Sequence, residues 1–418
     1  MTTLELTTLP NGFRIASEPF TDAQTVAFAL SVGVGARYET PEEHGISHLL
    51  EHMAFKGTPT HDARQLAEAF DLMGGNVNAY TGSETTVYYA KVLKEYAAEA
   101  LRLLCSIVRH STIDAEELER ERGVILQELA MHHDTPDDRV FDQFQETSYP
   151  NQALGRSILG TEASIAHHGR EAIQHYIDTH YVPRRMVLSS AGAVDHVQLV
   201  AIGSEFFGDL ADTPLTQCQP ARYQGGQNIQ YKKLEQVQLV LGYETINATH
   251  PNYYALQVFA TLLGGGMSSR LFQEIREKRG LVYSVSAFAS CYQDAGVLGI
   301  YAATGPEHMN ELMPALADVL AHAGEQLSDQ ELLRAKNQLK ANIVMARESI
   351  GSVAEWIGRH LLIHGRVRTA SEILALIDAI TLADMQRIAR ATIGASALSL
   401  TTLGPIKKIE FSALPQAA

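Results

Sequence analysis

Cysteine is scarce in this sequence. Only Cys105, Cys218 and Cys291 occur in 418 residues, far apart and in no CxxC pair. That excludes a disulfide framework and a cysteine-held zinc, and it makes a reducing compartment the expected setting. Long apolar runs are also missing. The longest, around Val26 to Ala36, falls well short of the ~20 residues that a membrane helix needs. Positive charge is in deficit: 33 Lys and Arg stand against 48 Asp and Glu, a net charge of −15. A phosphate backbone would be repelled, so nucleic acid is excluded as a partner, whereas peptides carrying positive charge are compatible. The opening MTTLELTTLPNGFRI has no basic stretch leading into an apolar one and is not Arg-rich and acid-poor. It therefore reads neither as a secretory signal nor as a transit peptide, and the expectation is a cytoplasmic chain with no membrane partner.

What is present is an ordinary globular composition, 45% hydrophobic and 19% charged. A chain of this length exceeds what one core usually serves, so two or more domains are expected. Self-similarity supplies them. β-rich runs at Thr25 to Val34 and Val237 to Ile246 are each followed by a helical stretch ending in glycines, Gly74-Gly75 and Gly264-Gly265-Gly266. Strand candidates follow at Thr85 to Lys91 and Val297 to Thr304. Long amphipathic helices then open at Asp114-x-x-Glu117 and Ser328-x-x-Glu331, both reading as capping boxes. Final strands fall at Val187 to Val194 and Leu398 to Leu403. The offset is roughly 212 residues throughout. The chain reads as two α+β domains of one design, residues 1–212 and 228–418, joined by a Pro- and Gly-bearing linker at 213–227.

The chemistry lies in His44-Gly-Ile-Ser-His48-Leu-Leu-Glu51-His52-Met. On a helix His48 and His52 are four apart, so both imidazoles leave one face at metal-ligand separation. Glu51 can reach a water at the metal without being a ligand. His44 falls in the turn before the helix and reads as a bystander. Two histidines leave a catalytic zinc one protein ligand short. The helix from Asp114 to His133 offers Glu121 and Glu128, seven apart on one face. Glu128, in the apolar setting VILQEL, is expected to be the third ligand, and Glu121 the carboxylate that orients a ligating histidine. Shifted by the repeat, these positions land near Ala260, Leu263, Gly264, Ala335 and Asn342, none a suitable ligand, so one zinc per chain is expected.

Beyond these residues, the strings LPNGFRI, GARYE, HGISHLLEHMAFKGT, GGNVNAYTGSETTVYYAKV, ERERGVILQEL, LGRSILG and LGGGMSSRLFQEIREKRGLVYSVSA span both halves. They resemble the pitrilysin-like M16 zinc metallopeptidases, and among them the bacterial branch similar to the mitochondrial processing peptidase. The resemblance implies zinc ligands at His48, His52 and Glu128, a general base at Glu51 and a supporting carboxylate at Glu121. It adds Arg276 and Tyr283, in REKRGLVY, as donors to the developing oxyanion. It implies that Gly75 to Tyr80, with Asn78 and Ala79, is an edge strand to which a peptide adds. Asp138 and Asp142, in DDRVFD, match positions that receive a basic side chain near the scissile bond, so a preference for Arg or Lys there is expected.

The implied fold is two homologous α+β domains, each an antiparallel-rich sheet packed by helices, together forming half of a clamshell chamber that admits short or unfolded peptides. A full chamber needs two chains, so a homodimer is expected, with a heterodimer open. Two rivals remain: a non-catalytic structural subunit of the same fold, and a metal hydrolase of a small non-peptide substrate.

Overall fold

Two sheets organise the chain, and both follow from runs of β-branched and apolar residues bounded by turns. The computed structural model describes residues 4–416. In the first sheet, β1 (Glu5–Thr8), β2 (Arg14–Pro19), β3 (Thr25–Val32), β4 (Asn76–Thr81), β5 (Thr86–Leu93) and β6 (Met186–Gly192) lie in the order β1-β2-β6-β3-β5-β4. In the second, β7 (Gly226–Tyr231), β8 (Val237–Glu244), β9 (Ser284–Cys291), β10 (Gly296–Thr304) and β11 (Ser399–Gly404) lie in the order β7-β11-β8-β10-β9. Without β1 the two orders are the same. Each sheet also has a single parallel pair in the same place, β2 with β6 and β7 with β11, and is otherwise antiparallel. The repeat in the sequence is thus a repeat of topology.

The helices of the first half are α1 (Ile46–Ala54), α2 (Ala63–Leu72), α3 (Ala97–Arg109), α4 (Ala115–Asp134) and α5 (Pro136–Ser148). The long helices begin near the expected caps, though not identically. Ser328 and Glu331 form the full reciprocal box. At α4 only Asp114 acts, accepting from the N–H groups of Glu116 and Glu117 at 2.9 and 3.1 Å, while the Glu117 side chain turns to Arg120.

The compact units do not follow the single boundary expected at 213–227. One unit comprises the residues up to Ala130, Arg156–Gln219 and Met345–Val367. The other comprises Met131–Gly155, Pro220–Val344 and the residues from Arg368. Each half of the sequence therefore lends a helix to the unit built mainly by the other. In the first unit, the small faces of β2, β3 and β6 (Ala16, Ala27, Ala29, Val187, Ala191) are covered by Val353, Ala354, Ile357 and Leu361 of the helix Ile350–His364. Approach there is close: a Cβ on Gly358 would stand 2.5 Å from Ser31 Oγ. The opposite face carries Ile15, Phe28, Leu30, Val32 and Leu188, packed on Leu49, Met53, Leu101 and Leu104. Burial on both faces explains why β3 reads as a continuous apolar run rather than an alternating one. In the second unit, Val140 and Phe144 of α5 pack on Val240, Val297 and Leu403 of that sheet.

Candidate metal centre

The helix α1 owes its start to backbone geometry. Gly45 has φ +89°, and a Cβ there would stand 2.7 Å from Ile165 Cδ1 and 2.8 Å from Gly160 Cα, so only glycine fits. From this start Ile46, Leu49, Leu50 and Met53 turn into the core, leaving His48, Glu51 and His52 on the partly open side. His44 lies in the preceding turn with Nε2 2.8 Å from the Ser157 carbonyl, away from the metal face.

His48, His52 and Glu128 come together. One ligand atom from each lies within 4.8 Å of the other two. Glu128 Oε2 is 3.6 Å from His48 Nε2 and 3.5 Å from His52 Nε2. Those separations are long for hydrogen bonds. They suit ligands about 3.3 Å apart around one tetrahedral ion at 2.0–2.1 Å. Burial, reinforced by neighbouring His52, depresses His48 from 6.5 to about 4, which keeps its imidazole neutral and able to coordinate. The donor set of two imidazole nitrogens and one carboxylate oxygen therefore fits a zinc ion.

Glu121 Oε2 stands 2.9 Å from His52 Nδ1, and its other oxygen meets Lys56 Nζ at 2.5 Å. Burial pushes this carboxyl up, but the hydrogen bonds from Lys56 and His52 outweigh it and hold it below the ordinary range. An ionised Glu121 accepts a hydrogen bond from His52 Nδ1–H, which leaves Nε2 without a proton toward Glu128. The burial argument that singled out Glu128 is corrected here. The Glu128 side chain is 36% exposed and that of Glu121 only 7%, because Ile125 and Leu129 face the core while Val124 points out. Position between the two histidines, not an apolar setting, distinguishes Glu128.

Glu51 Oε2 accepts a 2.5 Å hydrogen bond from Thr81 Oγ1, at the end of β4. Burial raises the Glu51 carboxyl against that hydrogen bond, as suits a group that must take up a proton near neutral pH. Thr81 and Lys56 escaped the sequence reading. Neither carried a local signal, since Lys56 lies beyond the end of α1 and Thr81 on a separate strand. β4 is the outer strand of its sheet, paired with β5 alone. Asn78 is exposed on it, Ala79 is buried, and the Ala79 N–H donates to Asn78 Oδ1 at 2.9 Å.

Other expected residues lie in the second unit. Arg276 and Tyr283 are neighbours there, the guanidinium 5.6 Å from the phenol ring centroid, with Tyr283 74% exposed. Asp138 and Asp142 lie one turn apart on α5. Asp138 is exposed, and Asp142 Oδ2 stands 3.6 Å from His132 Nε2.

Comparison with known proteins gives the family and the fold. Residues 14–162 match the family described as Insulinase (Peptidase family M16), and residues 169–339 match the Peptidase M16 inactive domain. An "Uncharacterized zinc protease" of Rickettsia felis is 41% identical over 90% of this chain and 92% of its own length. The chain belongs to peptidase family M16. Another relative, the "Probable mitochondrial-processing peptidase subunit beta, mitochondrial" of Arabidopsis thaliana, is 34% identical over 97% of this chain and 79% of its own. The fold is shared with a solved protease from Helicobacter pylori, with a TM-score of 0.87 at 22% identity, covering 97% of this chain and all of that one. The second matched domain, named inactive, spans Ala260, Leu263, Gly264 and Ala335. Among the described residues of this M16 chain, no helix is long and apolar enough to cross a membrane.

Proposed function

We propose that the chain is a zinc-dependent endopeptidase that hydrolyses extended peptides, with one zinc per chain at His48, His52 and Glu128. The observation that carries the proposal is the meeting of these three donors within 4.8 Å, with Glu51 on the same helix. Zinc bound there would polarise the scissile carbonyl and lower the pKa of a water. The chain's own residues do the rest. Glu51, its pKa raised by burial and its orientation held by Thr81, takes the proton from the attacking water and passes it to the departing amine. The Lys56–Glu121 pair keeps His52 in the tautomer whose Nε2 can coordinate.

The outer strand β4 favours a peptide over a small molecule. Its free edge can pair with an extended main chain, and its last residue touches the base. Arg276 and Tyr283 enter the proposal as donors to the oxyanion, supported by the string REKRGLVY and by their mutual contact. Asp138 and Asp142 enter as the acidic pair that selects Arg or Lys near the cut. A homodimer in a reducing cytoplasm completes the reading. The heterodimer stays as a second reading because one relative at 34% identity is named as a subunit.

Incubation of the purified chain with a peptide library tests the proposal. Cleavage should stop on chelation and resume on adding zinc, with basic residues enriched near the cut. A zinc-loaded chain that cleaves nothing refutes the self-sufficient peptidase, and equal cleavage of basic and acidic variants removes the Asp138/Asp142 assignment.

A further inference from the structure

The short helix that carries His48, Glu51 and His52 has an N-terminus it cannot cap itself. Its N-cap position must be glycine, for the steric reasons given above, and glycine has no side chain to accept the first free N–H groups. The acceptor comes from elsewhere. Glu39, only 3% exposed, follows a one-turn 3-10 segment, Ala36–Tyr38, and reaches two of these groups. Its Oε2 accepts from the Gly45 N–H at 2.8 Å and its Oε1 from the Ser47 N–H at 2.9 Å. The position of Glu39 is itself over-determined. Its backbone carbonyl accepts from Arg156, and neighbouring Arg37 is buried against Glu84 and the Gln219 carbonyl. Ser47 in turn bonds Tyr176 Oη at 2.8 Å.

We propose that Glu39 is the positioning residue of the metal helix: it caps α1 from a separate segment and so fixes the turn from which His48 and Glu51 project. The inference rests on the reading of His48, His52 and Glu128 as the metal set. Burial pushes the Glu39 carboxyl up to about 7, opposed by the two backbone N–H groups that its oxygens hold in a bidentate grip. The same groups are the free N–H groups of a helix of nine residues, little more than two turns, in which His48 occupies the first turn. Fraying of that turn would displace His48 relative to Glu128 while leaving the C-terminal His52 held by Glu121. The consequence is specific. Loss of Glu39 loosens metal capture and the base together, without touching substrate contacts.

Amide hydrogen exchange on the metal-free wild-type chain reads the cap directly. The Gly45 and Ser47 amides should exchange as slowly as the helix interior, and free exchange at both would overturn the proposal even if no variant could be made. In Glu39→Gln one amide oxygen remains an acceptor but the NH2 faces a backbone N–H. Exchange across residues 45–49 should quicken at least tenfold. Zinc release to a chelator should accelerate about tenfold, and kcat should fall while KM holds within about twofold. Glu39→Asp, a carboxyl one methylene shorter, should fall between. Wild-type exchange and zinc-release rates in Glu39→Gln would refute the assignment, as would a fall in melting temperature with zinc release unchanged. A wild-type chain that neither binds zinc nor cleaves peptide would sink the metal reading, while the exchange data on α1 would still decide for or against Glu39 as its cap.

Discussion

Replacing Glu121 by Gln should do more harm than removing a charge suggests, and Lys56 is the reason. Glu121 serves two donors at once, His52 Nδ1 at 2.9 Å and Lys56 Nζ at 2.5 Å. A glutamine has one acceptor oxygen. If that oxygen faces His52, the NH2 is pressed against the ammonium. The cation prefers the oxygen, so the side chain flips and the NH2 donates to His52 Nδ1. The imidazole must then carry its proton on Nε2, the nitrogen turned to Glu128 at 3.5 Å, and coordination is blocked. A charge-assisted hydrogen bond at a side chain only 7% exposed is worth about 1.5–3 kcal/mol. Loss of such a support weakens zinc by about 10–100-fold. Lys56→Met removes the conflict. The double variant Lys56→Met with Glu121→Gln should therefore bind zinc about tenfold tighter than Glu121→Gln alone. Competition against a chromophoric chelator measures both. A double variant no tighter than the single one, or a Glu121→Gln within twofold of wild type, would refute the tautomer argument.

Three further outcomes follow from the same geometry. Cutting the chain between Gln219 and Pro220 should give two fragments that fail to fold alone, because each sheet loses the helix that covers one face, Ile350–His364 in one case and α5 in the other. Co-expression should restore a soluble complex, and a cooperative unfolding transition in either isolated fragment would contradict this. In the metal-free chain, a neutral His48 depressed from 6.5 to about 4 stabilises the fold above pH 6.5 and loses that contribution as pH falls toward 4. At 1.36 kcal/mol per unit this amounts to about 3 kcal/mol. Urea midpoints of wild type and His48→Gln should diverge over that window, and parallel curves would refute it. Tyr283→Phe should lower kcat by about 10–100-fold with zinc content unchanged, whereas unaltered kcat would remove the phenol from the proposed chemistry.

The candidate metal residues were legible in part because local spacing carried the two histidines and the carboxylate pair. Four residues on a helix place His48 beside His52 whatever the surrounding fold, and seven place Glu121 and Glu128 on one side of α4. The duplicated topology was legible through matching strand runs such as Thr25–Val32 and Val237–Glu244. Other features have no local signature. Glu39, Thr81 and Lys56 act through tertiary contacts, and nothing in GARYE announces a cap for a helix seven residues further on. The exchanged helices were hidden for a related reason. An apolar stripe such as Val353, Ile357 and Leu361 says that a helix is covered, not which sheet covers it. Burial at Glu128 failed as a guide because α4 is amphipathic, with its apolar neighbours on another face.

The central claim is that Glu51 moves the proton while His48, His52 and Glu128 hold the metal. Glu51→Gln keeps the shape of the side chain and leaves all three donors in place, so zinc content and peptidase activity measured on the same sample separate the two roles. The account predicts about one zinc per chain, as in the wild type, with peptide cleavage reduced by at least about a hundredfold. Full cleavage by zinc-loaded Glu51→Gln would contradict it.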